Sequence, residues 1–190
     1  MPRTSVLSRR TWLCLTLTAC VASSAIAADK PPAVGETAPN FTLKSTGKES
    51  VELKKLLEKG PVVLIVLRGF PGYQCPACNA QVGQFLGKAK DFEAAGASVV
   101  FVYPGPMRNL AAKAGEFLGD RKLPGNATLL LDLDYKFTNA YRLRWDAPRE
   151  TAYPSTFVIQ PDGKITYALI SQTHGGRANV DEVLKALTTK

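Results

Sequence analysis

Apolar residues fall in short unbroken blocks along this chain, and the blocks alternate with stretches of helical period. Val62-Val63-Leu64-Ile65-Val66-Leu67 contains no polar position. A run of that length, bounded by Gly60-Pro61 and Gly69, predicts a central strand covered on both faces. Ser98 to Tyr103 reads the same way and stops at Pro104-Gly105-Pro106, and Thr128 to Leu131 is a third block. Between the first two, Val82, Phe85, Leu86, Ala89 and Phe92 fall at i, i+3, i+4, i+7 and i+10. That is one face of a single amphipathic helix starting near Cys75. Glu52 to Lys59, Leu110 to Leu118 and Lys136 to Tyr141 predict further helices. Phe41-Thr42-Leu43 predicts a short strand before a turn at Gly47. Ser155 to Ile159 and Lys164 to Leu169 flank Pro161-Asp162-Gly163, a hairpin signal. Asn179 is placed to cap a last helix running through Leu187. The order predicts an α/β sandwich on a mixed sheet, parallel early and antiparallel at the hairpin.

The N-terminus follows another pattern. Arg3, Arg9 and Arg10 precede an apolar stretch from Thr11 to Ala22, too short to span a bilayer, and Ala25-Ile26-Ala27 fits a small-x-small cleavage rule. Residues 1–27 read as a secretory signal peptide cut before Ala28, which leaves 28–190 as one domain. The expected location is periplasmic or secreted. Leu17-Thr18-Ala19-Cys20 also resembles a lipoprotein box, in which Cys20 would carry a lipid and supply the chain's attachment to a membrane. Ser8-Arg9-Arg10-Thr11-Trp12-Leu13 resembles a twin-arginine signal without its usual Lys.

This reading changes what the charge means. The whole chain has 24 basic and 16 acidic residues, a net of +8. The leader carries three of the basic residues and no acid, so the 163 residues from Ala28 carry +5. Those basic residues are scattered, with no stripe interleaved by aromatics, which argues against nucleic-acid binding. Hydrophobic residues at 45% and charged residues at 21% exclude wholesale disorder.

Cleavage removes Cys14 and Cys20, so Cys75-Pro76-Ala77-Cys78 holds the remaining two of four cysteines in an oxidising setting. The motif lies where a buried strand leads into a helix N-terminus. There the helix dipole and free N–H groups favour a thiolate, and Pro76 suits the first turn. A two-residue spacer lets the sulfurs join and part without moving the fold. Zinc needs about four ligands, and only His174 joins the two Cys. Covalent haem needs a His where Asn79 stands. No metal or cofactor is expected. A structural disulfide stays open, although so small a loop stabilises little.

Over roughly Val34 to Leu187 the chain resembles the thioredoxin-fold suprafamily. Within it, the chain resembles the alkyl hydroperoxide reductase/thiol-specific antioxidant (peroxiredoxin-like) group. The marks are Ala38-Pro39-Asn40-Phe41-Thr42-Leu43, the apolar strand into Arg68-Gly69-Phe70-Pro71, the Cys75/Cys78 helix, Leu131-Asp132 with Ala140-Tyr141, and Thr156-Phe157-Val158-Ile159 with Asp162-Gly163. The resemblance implies a thioredoxin-like α/β fold and two kinds of activity. Peroxiredoxins resemble Pro-x-x-x-Thr-x-x-Cys; counted from Pro71, Cys75 takes the Thr place and Cys78 that of the peroxide-attacking Cys. They also carry an Arg before the Thr-Phe-Val-Ile strand, where this chain has Pro154. A Pro there resembles the cis-proline of thioredoxin-type oxidoreductases, so a cis Tyr153-Pro154 bond is expected, with the neighbouring carbonyl and N–H free for a partner chain.

These departures favour thiol–disulfide exchange. In that reading Cys75 is the exposed nucleophile, Cys78 resolves the mixed disulfide, and Pro154, Tyr153, Phe70 and Tyr73 shape the substrate groove. Arg68 is placed to favour a thiolate. In the peroxidase reading Cys78 attacks the peroxide and Cys75 condenses with it. A third reading is a non-enzymatic binding module with a fixed disulfide. The partners implied are a protein disulfide or dithiol, or a peroxide, and an external thiol reductant. Thioredoxins often bury an acid in the central strand, and Val62 to Leu67 has none. His174 reads as a loop residue, and Trp145 among Arg142, Arg144 and Arg149 as a surface cluster.

Overall fold

The block Val62–Val66 forms strand β3, with every residue buried. The computed structural model describes Met1 and residues 30–188. The cleavage site, the Cys20 box and the twin-arginine stretch therefore lie outside the described residues. The other strands are β1 (Thr42–Ser45), β2 (Ser50–Glu52), β4 (Ser98–Gly105), β5 (Ala127–Leu133), β6 (Ser155–Ile159) and β7 (Ile165–Ile170). The helices are α1 (Leu53–Leu57), α2 (Pro76–Gly87), α3 (Ala89–Ala94), α4 (Leu110–Leu118), α5 (Lys136–Ala140) and α6 (Val180–Thr188).

The sheet runs β2-β1-β5-β4-β3-β6-β7. β3, β4 and β5 are parallel, and β6 and β7 are antiparallel, as the pattern predicts. Alternation along β3 and β4 splits the core in two. Val63, Ile65, Val99 and Phe101 pack with Val82, Phe85, Phe92 and Phe117 from α2, α3 and α4. Val62, Leu64, Val66 and Val100 pack on the other face with Phe41, Leu53, Phe137 and Tyr141. Both faces of β3 are thus covered, which is why its sequence carries no polar residue.

Three elements differ from the pattern. The helix predicted from Cys75 through Phe92 is broken at Lys88 (φ −107°, ψ 16°), whose N–H turns back to Phe85. Phe85 and Phe92 still stack at 5.7 Å across the break. The hydrophobic period survives because both pieces serve one core. β2 is a hairpin partner of β1 that its sequence hardly announces, since Val51 is its one apolar residue. β4 continues through Pro104 and Gly105 beside β5. Pro104 is tolerated because its carbonyl accepts the Phe70 N–H at 3.0 Å and it needs no N–H of its own there.

Asp132 is fully buried near the end of β5. Its carboxylate accepts the N–H groups of Phe137 at 2.7 Å and Thr138 at 3.0 Å, capping the start of α5. Burial pushes its carboxyl up, and these bonds partly offset that. Asp132→Ala strands two helix N–H groups in the core and is expected to cost about 2 kcal/mol. Urea unfolding of the variant against the parent checks this.

Candidate redox site

The site is built at the end of the sheet where β3 leaves it. Leu67 still donates to Val102 O, and the chain then turns tightly through Gly69 (φ +72°). A Cβ at Gly69 would overlap the Pro104 carbonyl oxygen and lie 2.8 Å from Pro104 Cδ. Only glycine lets the loop lie flat on β4 here. Gln74 then anchors the approach to the cysteines. Its Oε1 accepts the Tyr103 hydroxyl at 2.8 Å and its Nε2 donates to Lys113 O at 2.9 Å.

Cys75 is the N-cap of α2 with an extended backbone (φ −82°, ψ 110°), and Pro76 occupies the first turn. The Cys78 N–H donates to Cys75 Sγ at 3.2 Å. The two Cα atoms are 5.2 Å apart and the sulfurs are joined as a disulfide. The N-cap bond is one a thiolate would strengthen, since a charged acceptor at a helix N-terminus is favoured. Exposure differs from expectation. Cys75 is only 3% exposed, against 0% for Cys78, so the nucleophile of the exchange reading is a nearly buried group. Pro76 is exposed while Cys75 turns inward to meet Cys78 and join the α2-side core.

The guanidinium at the sulfurs belongs to Arg177, which sequence reasoning missed. Its Nη2 lies 3.5 Å from Cys78 Sγ and 3.7 Å from Cys75 Sγ. Nη1 donates to Gln81 Oε1 at 2.6 Å and Nε to His174 O at 3.3 Å. Gln81 is itself buried and its Nε2 reaches Thr156 Oγ1 on β6 at 3.5 Å. Burial, with the charge of Arg68 as a smaller cause, pushes Arg177 down to about 10, so it is still charged at neutral pH. Its signal in the sequence was weak: one basic residue after Gly175-Gly176. A search for a cation to replace the Arg absent at Pro154 would have raised it.

Arg68 sits elsewhere in the site. It is buried, and its Nε and Nη2 form a fork on Glu150 at 2.6 and 3.0 Å. Nη2 also donates to Arg149 O at 2.7 Å, and Nη1 to the Tyr73 hydroxyl at 2.5 Å. Glu150 meets His174 Nε2 at 2.9 Å as well. This carboxylate thus ties the loop after β3 to the loop after β7, which carries Arg177. Trp145 stacks on Tyr153 at 4.8 Å and lies 5.2 Å from the His174 ring. Arg144 lies over Tyr135 instead.

Burial pushes the Glu150 carboxyl up, but Arg68 and His174 outweigh it and hold it below 4.5. A carboxylate lowered in the folded state stabilises the fold fully above its unfolded value and loses that contribution as pH falls through its folded one. Glu150→Gln is expected to cost about 2 kcal/mol at neutral pH. Its stability should then fall less steeply than the parent's below about pH 4.5. Urea unfolding across the acid range reads both.

Pro154 immediately precedes β6, whose Ser155 pairs with Val66, so it stands at the sheet end from which the Cys loop departs. The Tyr153–Pro154 bond is trans, because no cis peptide bond occurs among the described residues. Nor are the neighbouring groups free. Tyr153 N–H donates to Leu143 O, Ser155 Oγ donates to Tyr153 O, and Ser171 N–H donates to Pro154 O. The Arg144–Ala152 bridge leads the chain into β6 and holds the Tyr153 N–H on Leu143. Phe70 is partly buried against the core with Lys113 Nζ 5.3 Å from its ring, and Tyr73 is exposed.

Beside the pair an open groove of about 360 Å³ runs between α2 and the loop that leads into α6. Ala77, Ala80, Gln81 and Gln84 line one wall, and Gly175, Arg177, Ala178 and Asn179 the other. No acid lines it, and small residues leave backbone within reach of a polypeptide. Among the described residues no three His, Cys, Asp or Glu side chains converge as a metal site would require.

The AhpC/TSA family model matches residues 34–168. The chain is 28% identical over 131 residues to the thiol-disulfide oxidoreductase ResA of Bacillus subtilis, covering 69% of this chain and 64% of that one. It is 31% identical over 157 residues to a chloroplastic peroxiredoxin Q of Oryza sativa subsp. japonica, covering 80% and 65%. The chain therefore spans just under two thirds of each of these relatives. A putative peroxiredoxin bcp of Helicobacter pylori is 29% identical, covering 81% and 97%. Among solved structures, the peroxidoxin BcpB of Mycobacterium tuberculosis superposes with a TM-score of 0.63 at 25% identity, covering 81% and 95%. A peroxiredoxin-like protein of Aquifex aeolicus gives 0.67 at 19% identity over 83% and 86%, a likeness of fold.

Proposed function

The chain belongs to the AhpC/TSA family, and from that premise we propose that it is an exported thiol–disulfide oxidoreductase acting through Cys75 and Cys78. The observation that carries the reading is the pair itself. Two sulfurs close within one turn of α2, and Cys75 Sγ accepts a helix N–H that a thiolate would strengthen. Reduced Cys75 attacks a partner disulfide, and Cys78 then attacks Cys75 Sγ, releasing the partner dithiol and restoring the intramolecular bond; from the oxidised pair and a partner dithiol the same steps run in reverse. The groove between α2 and the loop before α6 receives the partner chain, and an external thiol couple resets the pair. Export by the signal peptide places this chemistry outside the cytoplasm.

One observation favours a peroxidase instead. Cys78 Sγ lies 3.5 Å from the Arg177 guanidinium, so a cation stands where the missing Arg of the family pattern would be needed. In that case Cys78 thiolate attacks one peroxide oxygen, the O–O bond breaks, and the other oxygen leaves as water or an alcohol, giving a sulfenic acid on Cys78. Cys75 then condenses with it and water leaves.

Stopped-flow mixing separates the readings. The reduced protein is mixed with hydrogen peroxide and, separately, with a protein disulfide. Fast exchange together with peroxide oxidation no faster than that of a free thiol supports the oxidoreductase. Peroxide oxidation much faster than exchange overturns it in favour of the peroxidase.

A further inference from the structure

Among the described residues Arg177 has no countercharge. Its partners are the amide oxygen of Gln81, the carbonyl of His174 and the two sulfurs of a neutral disulfide. Among the described residues no carboxylate forms an ion pair with it. Glu150, which meets the Arg177 loop at His174, is already shared between Arg68 and His174. Arg68 adds a second positive charge to the neighbourhood. The oxidised site therefore holds a partly buried cation whose electrostatic partner is missing, an arrangement that costs free energy.

Reduction supplies that partner. Opening the disulfide creates a thiolate at Cys75, in reach of Arg177 Nη2 and already accepting the Cys78 N–H. A charge-assisted contact to a thiolate is far stronger than the same contact to a neutral disulfide. The site is thus better satisfied reduced than oxidised. Stabilising the reduced form raises the reduction potential and makes a pair an oxidant.

We propose that Arg177, held over both sulfurs with no carboxylate of its own, sets the direction of the exchange, so that this pair accepts electrons from protein dithiols. The proposal rests on the exchange reading above and selects the reverse of the two directions given there, with protein dithiols as the substrate class. One substrate thiolate attacks Cys75 Sγ, breaking the Cys75–Cys78 bond and releasing Cys78 as its thiolate. The second substrate thiolate attacks the substrate sulfur of the mixed disulfide, forming the substrate disulfide and expelling Cys75 as a thiolate. Two electrons pass from the dithiol to the pair. Of the two thiol protons, one ends on Cys78 and the other goes to solvent, leaving Cys75 charged beneath Arg177. Arg177 is a positioning residue in one sense only: it selects which redox state the pair prefers.

The test equilibrates the parent, Arg177→Gln and Arg177→Lys with glutathione buffers at neutral pH. It also titrates the reduced forms by the ultraviolet absorbance of the thiolate. Arg177→Gln should shift the equilibrium toward the disulfide at least tenfold, a fall of about 30 mV. It should also raise the thiol pKa, and Arg177→Lys should recover part of both. A packing role alone would move the melting temperature without moving the potential. A Gln variant that folds and titrates within twofold of the parent overturns the proposal and leaves the exchange reading standing. A parent pair that never equilibrates with glutathione overturns both.

Discussion

Cys78→Ser, reduced and mixed with a protein disulfide, is expected to stop at a covalent mixed disulfide through Cys75. Cys75→Ser should lose exchange by about a thousandfold or more, equivalent to about 4 kcal/mol of barrier. The asymmetry follows from geometry. Cys75 caps α2, takes the Cys78 N–H at 3.2 Å and keeps what little exposure the pair has. Cys78 sits one turn in with no exposure. A partner sulfur therefore meets Cys75 first, and Cys78 reaches only the bond that Cys75 has made. Non-reducing electrophoresis of each variant, followed by mass mapping of the trapped bond, reads the result directly. A mixed disulfide trapped through Cys78 in the Cys75→Ser variant would reverse the assignment.

Gly69→Ala is expected to be the most damaging single methyl in the chain, costing about 4 kcal/mol. Two penalties coincide there. The backbone at φ +72° disfavours any L side chain, and the new Cβ would overlap the Pro104 carbonyl oxygen, which already accepts the Phe70 N–H. Backbone cannot swing aside as a flexible side chain does, so the loop from β3 must lift off β4. That loop carries Arg68 into its fork with Glu150 and delivers Cys75 to the start of α2. Exchange should fall along with stability. Glycines such as Gly83 and Gly115, where a Cβ meets nothing within 4 Å, are the controls. Substituting Ala there should be close to neutral or mildly stabilising.

What could be read in advance depended on how local the cause was. β3 and α4 were legible because burial on both faces, or on one helical stripe, is written into consecutive residues; α4 has the bounds its pattern predicts. The break at Lys88 was not, because Phe85 and Phe92 keep helical spacing whether or not the axis bends between them. β2 escaped because three residues with a single apolar side chain carry no period. The cysteine pair was legible for the same local reason: spacing, proline and helix start all lie within four residues. Its surroundings were not. Arg177 reaches Cys78 across 99 residues of chain, and Arg68 reaches Glu150 across 82. Pattern assigned the cation to Arg68, the nearest candidate along the chain, whereas tertiary packing gave that side chain to Glu150. The expected cis-proline followed from kinship alone, and a trans bond stands in its place, with the Tyr153 N–H and carbonyl and the Pro154 carbonyl all engaged.

The sheet order has a further consequence, in time. β3 is made early but finds β6 only after the chain has run on to Ser155, and Arg177 comes later still. At roughly 5–20 residues per second of synthesis, the stretch from Cys78 to Arg177 takes about 5–20 s. Throughout that interval the cysteines are present without their cation, and for most of it without β6, the strand that closes their side of the sheet. An oxidant met in that interval would find two cysteines of ordinary thiol reactivity. The tuned chemistry of the site begins only when the last quarter of the sequence has arrived and docked.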